Sequence, residues 1–212
     1  MTRAVAEDPA GVAAVLSVAS AIRHAASLDA GDVAADLAWV IERESGWSPA
    51  ATNKTGGATG LIQFMPKTAA ILGTTTDALR AMSRAEQAPY VAAFYARTVP
   101  ASGLARRGDI YLATFLPQFT LAPDDQIIAP AGSIIASQNR GLADHDGAIR
   151  AGTVRRLGTA PPGMPHVEQL PRGGGDVAGA GGVDADSAWL LVALIAATWA
   201  GRQSRQRRGW FR

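Results

Sequence analysis

Apolar side chains recur every three or four residues along most of the first 160 positions, which is the spacing of one face of an α-helix. Proline, glycine and capping residues between these runs set the helix boundaries. The pattern predicts helices at 9–27, 29–45, 66–73, 83–98 and 108–119, the last broken near Pro117, with a final turn or two within 130–139. No alternating strand pattern lasts long enough for a large sheet, so the predicted fold class is all-α.

The helix predicted at 29–45 carries an acid on its apolar face. At about 100° per residue, Glu44 continues the stripe of Val33, Leu37 and Ile41, whereas Glu42 points nearly opposite. Partial burial and a helix C-terminus both raise the pKa of a carboxyl group. A carboxyl that keeps its proton at neutral pH suits general-acid cleavage of a glycosidic bond. The alternative interpretation is structural, with Glu44 capping backbone amides of the loop that follows.

Composition divides the 212 residues into three predicted parts. Residues 1–160 are long enough to form one globular core. Residues 161–186 are rich in Gly and Pro, as flexible linkers are. Residues 187–212 are predicted to form a hydrophobic helix, with its apolar segment at 188–200, followed by a basic tail. A Trp near each end and arginines beyond it indicate membrane attachment, although the segment is shorter than the roughly 20 residues of a normal span. Burial in an oligomer such as a virion is the alternative.

Charge is distributed unevenly between these parts. The net charge is +2, and five arginines but no acid lie after residue 186, so residues 1–186 carry −3. A mildly acidic main domain argues against nucleic-acid binding by that domain. The C-terminal arginines are predicted to contact nucleic acid or anionic lipid headgroups.

The apolar run at 11–22 has about the length of a signal-peptide core. Glu7 and Asp8 stand where such a signal needs positive charge, so an amphipathic first helix is preferred and no signal peptide is predicted.

Neither a metal nor another cofactor is predicted. The chain has no cysteine and its three histidines are scattered. The stretch 144–147 resembles half of a calcium loop, but Leu142 and Thr153 fall where carboxylate ligands are needed.

A specific motif begins at the acid. Glu44-Ser45 is followed by Pro49, then by GATGLIQFMP at 57–66 and by Thr68-Ala69. This order resembles the first motif of the soluble lytic transglycosylases and the goose-type lysozymes, whose domain is lysozyme-like. The resemblance is strong over 39–72, weaker to about 157, and does not extend into the linker or tail. The stretches DIYLATFLP and NRGLADHDGAIRAGTV are closer to phage- and prophage-encoded members.

The resemblance implies cleavage of peptidoglycan glycan strands at the β-1,4 bond between N-acetylmuramic acid and N-acetylglucosamine. Glu44 would be the sole catalytic acid/base, which protonates the glycosidic oxygen and then deprotonates the muramic 6-hydroxyl to close a 1,6-anhydro ring. The implied substrate-binding positions are Ser45, Asn53, Gly60, Gln63, Met65, Gln138 and Asn139.

Three positions depart from the family pattern. Asn53 replaces the usual Ser and Ile62 replaces Met, and both changes are mild. Gln138 falls at the Tyr of the late motif Ala-Tyr-Asn-x-Gly, and that Tyr normally contacts the acid or the sugar. This departure leaves open a lysozyme-type hydrolase, or a catalytically inactive glycan-docking component of a phage particle. Trp47 is interpreted either as a sugar-stacking residue or as part of the core.

The expected setting follows from the tail and from the phage resemblance. We expect a virion-associated or membrane-attached enzyme that acts in the periplasm or cell wall and opens it for phage genome entry. Its expected partners are glycan strands, together with phage structural proteins or a membrane at 188–200.

Overall fold

A computed structural model describes residues 2–54 and 56–162 of the chain. The predicted linker from residue 163 onward and the predicted C-terminal helix lie outside the described residues. The described part is helix-rich. Its helices are α1 (Thr2–Glu7), α2 (Pro9–Ser17), α3 (Ala30–Ser45), α4 (Pro66–Ile71), α5 (Thr76–Ala81), α6 (Arg84–Thr98), α7 (Asp109–Phe115), α8 (Ile134–Gln138) and α9 (Ala151–Gly158). Short 3-10 turns occupy Val18–Ala21, Pro117–Phe119 and Arg140–Leu142.

Helix α3 forms almost where the sequence predicts it. Asp29 caps its start, because the Asp29 carboxylate accepts a hydrogen bond from the Gly31 amide. The helix ends at Gly46, whose φ of 56° is the left-handed conformation typical of a helix terminus. Glu44 therefore lies in the last turn, immediately before a long loop.

Helix α6 confirms the predicted capping box. The Ser83 hydroxyl accepts from the Glu86 amide, and the Glu86 carboxylate accepts from the Ser83 amide.

The helices share one apolar core. α2 packs against α6, α3 against α7, and α7 against α9. The largest side chains at its centre, all nearly inaccessible to solvent, include Leu16, Leu37, Ile41, Trp47, Leu61, Phe64, Leu79, Tyr95, Leu104, Ile110, Leu112 and Ile149. This core holds α6 and α7 in place against the C-terminal end of α3.

The first predicted helix is shorter than expected. It becomes α2 and a 3-10 turn, and Ile22 is already extended. The reason is tertiary, because the Arg23 carbonyl accepts from the Leu104 amide and the Ala25 amide donates to the Leu104 carbonyl.

The fold is not purely helical. Strands β1 (Ile127–Ala129) and β2 (Ile149–Arg150) pair antiparallel, with Ala129 opposite Ile149. Strands this short leave little alternation in a sequence, which is why the all-α prediction missed them. Helices α1, α5 and α9 were also not predicted, and α8 occupies only part of 130–139.

Within residues 2–54 and 56–162, none of the helices combines the length and the apolar character that crossing a membrane requires.

Candidate functional site

The site is centred on Glu44 in the last turn of α3. The Glu44 side chain is partly buried and accepts a hydrogen bond from the phenol of Tyr111 in α7. Burial raises the pKa of Glu44, and the Tyr111 hydrogen bond and the charge of Arg43 only partly oppose this. Glu44 therefore keeps its proton to a higher pH than a glutamic acid in water does. This direction agrees with the sequence-based expectation.

Tyr111 is itself tuned by its surroundings. Burial, and next the negative charge of Glu44, raise the pKa of Tyr111 to about 12. The phenol is consequently a permanent hydrogen-bond donor at neutral pH. The Arg43 guanidinium lies over the Tyr111 ring, 5.8 Å from its centroid, and this cation–π contact helps to orient the ring.

A second buried phenol lies close to the acid. Tyr95 in α6 is almost fully buried, and burial raises its pKa, with the charge of Glu44 acting in the same direction. Its hydroxyl is 2.8 Å from Oγ1 of Thr114. Phe94 links this pair to the loop beyond α3, because its ring meets that of Phe64 edge-on with centroids 6.1 Å apart. Glu44 thus has two tyrosines near it, Tyr95 of α6 and Tyr111 of α7.

The loop after α3, residues 46–65, is called the site loop. It folds back on itself through paired backbone hydrogen bonds between Thr59 and Phe64, of 3.0 and 2.8 Å. Gly60 has a φ of 85°, and Gln63 takes a φ of 55°, which few non-glycine residues adopt. The Gln63 amide group donates to the Gly60 carbonyl at 3.0 Å and so holds this turn closed. The small residues predicted to let a ligand approach therefore build a rigid turn beside the acid.

With this geometry in place, the comparison with known families is decisive for one segment. Residues 22–95 match the family model described as Transglycosylase SLT domain. The chain contains a transglycosylase SLT domain. The match covers about a third of the chain and includes α3, the site loop, α4, α5 and most of α6. No curated protein and no solved structure gives a significant match to the chain.

The match of residues 22–95 to this family model supports peptidoglycan lytic transglycosylase activity in general, with peptidoglycan as the substrate. Glu44 and the site loop lie inside the SLT domain, whereas Tyr111 follows it.

The structure places most of the predicted binding residues together. Ser45 adjoins Glu44, and its hydroxyl lies 2.9 Å from the Leu61 carbonyl and 3.1 Å from that of Ile41. The Ser45 hydroxyl therefore donates to backbone carbonyls of the protein itself, and its bond to Leu61 links the site loop to α3.

Three further predicted residues belong to the site loop. Asn53 is exposed, and its side-chain oxygen accepts from the Gly56 amide at 3.2 Å. Gln63 is partly buried, and Met65 is 49% exposed, which is high for such an apolar side chain. Asn53 and Met65 are therefore accessible to a ligand from solvent.

Gln138 and Asn139 lie at the end of α8. Gln138 is exposed, and the Asn139 side chain donates to the Ile135 carbonyl at 2.9 Å. Among the described residues, no hydrogen bond joins either to Glu44 or to the site loop. The tyrosine that contacts Glu44 is Tyr111, 27 positions before Gln138 in the sequence. Sequence reasoning missed Tyr111, since its only signal was its place in a predicted helix.

Trp47 is part of the core. It is fully buried with a φ of 66°, so the sugar-stacking interpretation is wrong. Its indole nitrogen finds no hydrogen-bond partner among the described residues.

Two other carboxylates, Asp36 and Asp109, are deeply buried, and each accepts several hydrogen bonds from the protein. Asp36 accepts from Arg107, Gly108 and Ala160, and Asp109 accepts from Arg155 and two backbone amides. In the part of the chain that the structure describes, no group of three or more acidic or histidine side chains is arranged to hold a metal ion.

Proposed function

We propose that Glu44 is the general acid/base of a peptidoglycan lytic transglycosylase that cleaves the β-1,4 bond between N-acetylmuramic acid and N-acetylglucosamine. The observation that carries the proposal is a partly buried carboxyl group with a raised pKa, held by one phenol, inside an SLT domain.

The chemistry needs a group that first gives a proton and then takes one. The Glu44 carboxyl donates its proton to the glycosidic oxygen, the bond from that oxygen to the muramic C1 breaks, and N-acetylglucosamine leaves as an alcohol. The resulting Glu44 carboxylate then removes the proton from the 6-hydroxyl, whose oxygen bonds to C1 and closes the anhydro ring. Burial favours the protonated form of Glu44, which the first step needs, and the Tyr111 phenol stabilises the carboxylate, which the second step needs.

The surroundings of Glu44 support a single-carboxyl mechanism. The groups that shift its pKa are the phenol of Tyr111 and the guanidinium of Arg43, besides burial, and neither is a carboxylate. An inverting hydrolase would instead need a second carboxylate about 6.5–9.5 Å away to activate water.

The accessible residues of the site loop are proposed to contact the sugars. Asn53, Gln63 and Met65 lie along this loop, and Asn53 and Met65 are exposed to solvent. Gly60 is buried against Gln87, so it stays a predicted binding position on the evidence of the motif alone. Gln138 and Asn139 stay predicted binding positions on the evidence of the motif alone.

Replacing the acid tests the central proposal. Glu44→Gln should reduce muropeptide release from purified cell-wall sacculi by about 10²–10⁴-fold, the usual contribution of a general acid/base. Glu42→Gln, two residues earlier on the same helix, is the matched control and should keep its activity. Full activity in the Glu44 variant would overturn the assignment.

Mass spectrometry of the products decides the outcome of the reaction. Anhydro-muramyl ends identify the transglycosylase, and reducing ends heavier by one water identify a lysozyme-type hydrolase. Tight adsorption of the wild-type protein to sacculi without any turnover would identify the inactive docking component.

The proposed setting is a phage particle, or a membrane, that carries the enzyme to the cell wall. The support comes from sequence: a Gly-rich stretch at 161–186 and an apolar segment at 188–200 flanked by arginines. Truncation after Asp186 should leave activity on isolated sacculi intact while the protein is lost from purified virions or membranes. Continued co-purification of the truncated protein would exclude the apolar segment as the anchor.

A further inference from the structure

A fully buried amide side chain joins α6 to the site loop. Gln87 is inaccessible to solvent, yet its side chain forms hydrogen bonds to backbone groups that lie outside α6. Its oxygen accepts from the Leu61 amide at 2.9 Å, and its nitrogen donates to the carbonyls of Pro49 and Leu79 at 2.7 and 2.8 Å. One side chain therefore joins the two arms of the site loop, at positions 49 and 61, to each other and to α6.

Leu61 is the point at which this link reaches the acid. Its amide is held by Gln87, and its carbonyl accepts from the hydroxyl of Ser45, the neighbour of Glu44. The peptide groups on both sides of Leu61 are thus fixed, one to α6 and the other to the last turn of α3. The site loop cannot move relative to Glu44 without breaking one of these bonds.

The backbone beside Gln87 requires a glycine at position 60. A Cβ on Gly60 would lie 2.6 Å from the Gln87 side-chain oxygen, and the φ of Gly60 is 85°. Gly60 is therefore required both by its conformation and by the close approach of Gln87.

Arg84 supports the same loop from one helical turn earlier. Its guanidinium donates to the Trp47 carbonyl at 2.9 Å and also contacts Asp8. Arg84 and Gln87 are three residues apart, so they share a face of α6. That face holds the site loop at positions 47, 49 and 61.

We propose that Gln87 is a positioning residue for the reaction at Glu44, which it serves by fixing the site loop against the last turn of α3. The inference rests on the proposed function of Glu44. Gln87 does not touch the reacting atoms. Its effect is on how closely the loop excludes water from Glu44 and on where the loop places a bound sugar.

The expected consequence is kinetic. Misplacement of a binding element by about 1 Å can reduce a rate about 10²-fold even when the fold survives. Gln87→Met keeps the approximate volume of the side chain and removes all three hydrogen bonds. Its kcat on a soluble peptidoglycan fragment should fall about tenfold or more, with a smaller change in KM.

The control is a core substitution at the far end of the same helix. Val99 is buried just after α6, about 18 Å along the helix axis from Gln87. Val99→Ala should lower the Tm but leave kcat near the wild-type value at temperatures well below the Tm.

Two readouts separate positioning from a general loss of stability. Hydrogen exchange at the Leu61 amide should accelerate in the full-length Gln87→Met protein and not in Val99→Ala. In addition, water admitted to the site lowers the pKa of Glu44, so the decline of activity at high pH should begin at a lower pH in Gln87→Met. Unchanged kcat and pH profile in that variant, with active wild-type enzyme, would overturn the inference and leave the role of Glu44 intact.

A second variant decides the matter if Gln87→Met does not fold. In Gln87→Glu the introduced carboxyl can accept from the Leu61 amide, and when protonated it can also donate to the Pro49 carbonyl. Its activity relative to wild type should therefore recover on acidification and fall as the new group ionises. A ratio that does not vary with pH would contradict the proposal. Absence of any activity in the wild-type protein would instead refute the proposed function itself.

Discussion

Helix α3 carries two inward-facing carboxyl groups, and they differ in how many donors surround them. Asp36 is almost fully buried and accepts from the Arg107 guanidinium and from two backbone amides, those of Gly108 and Ala160. Glu44, two turns later, is only partly buried and is held by a single phenol.

The comparison shows what frees a carboxyl group for chemistry. Several charged and amide donors keep Asp36 in a fixed structural role, because each stabilises a buried acceptor. Glu44 has few such donors, and burial raises its pKa. The difference predicts that the two groups respond in opposite ways when their charge is removed.

The largest expected effect on stability belongs to Asp36. Asp36→Asn removes the buried charge and replaces one of the two oxygens that accept from Arg107 and the amides by an NH2 donor, so it should reduce the free energy of unfolding by about 3 kcal/mol. Urea unfolding and the Tm measure this, and the Tm should fall by about 6–12 °C for a domain of this size.

The matched control is Asp32→Asn. Asp32 pairs with the same arginine at 2.7 Å but is about one-third exposed, so its loss should reduce the free energy of unfolding by about 1 kcal/mol or less. Equal losses in both variants would mean that burial does not distinguish the two acids.

The next effect concerns the phenol that holds Glu44. Its hydrogen bond lowers the pKa of Glu44, so Tyr111→Phe should raise that pKa further. The activity that requires protonated Glu44 should then persist to a higher pH, while kcat falls about tenfold because the carboxylate formed during the reaction loses its donor. A pH–activity profile measures both changes.

Tyr95→Phe is the control for this experiment. Tyr95 is paired with Thr114, so its loss should reduce the free energy of unfolding by about 1 kcal/mol and leave the pH profile in place. A shift of the Tyr111→Phe profile towards low pH would contradict the assigned hydrogen bond.

The smallest effect is a gain of stability at Glu44. A glutamic acid in the unfolded chain has a pKa near 4.3, and the folded value is higher. Because the folded state holds the proton more tightly, the wild type loses stability as the pH rises from the unfolded pKa through the folded one. Glu44→Gln has no proton to lose, so its Tm relative to wild type should rise across this window.

The Tm of Glu44→Gln should exceed that of the wild type by about 2–4 °C for each 1 kcal/mol by which the free energies of unfolding differ. This excess should disappear at a pH below about 4. Differential scanning calorimetry at several pH values measures it. A Tm difference that does not change with pH would show that Glu44 has its ordinary pKa in the folded protein.

Local signals predicted the elements that carry the acid. The apolar stripe and the Asp29 cap gave α3, and the capping box of Ser83 and Glu86 gave α6, because these signals lie within a few residues of the structures that they create. The Glu-Ser motif and the glycine-rich loop were recognisable for the same reason.

Tertiary partners were not predictable from spacing alone. Tyr111 lies 67 positions after Glu44, and Gln87 lies 26 positions after Leu61, whose amide donates to the Gln87 side chain. Both belong to helices in which a sequence pattern shows only an inward face. The placement of Gln138 at the tyrosine of the late motif followed the linear order of that motif and stays a prediction, whereas the contact of Tyr111 with Glu44 depends on how α7 packs on α3.

The hydrogen bonds at the end of the described chain have a mechanical consequence. The Ala160 amide donates to Asp36 at 2.8 Å, and the Trp39 indole donates to the Leu157 carbonyl at 2.9 Å. Tension applied to the chain beyond residue 162 is therefore transmitted first to the middle of α3, about 12 Å along the helix axis before Glu44. A domain pulled through its C-terminal extension would bear the force at these two bonds, upstream of the turn that carries the acid.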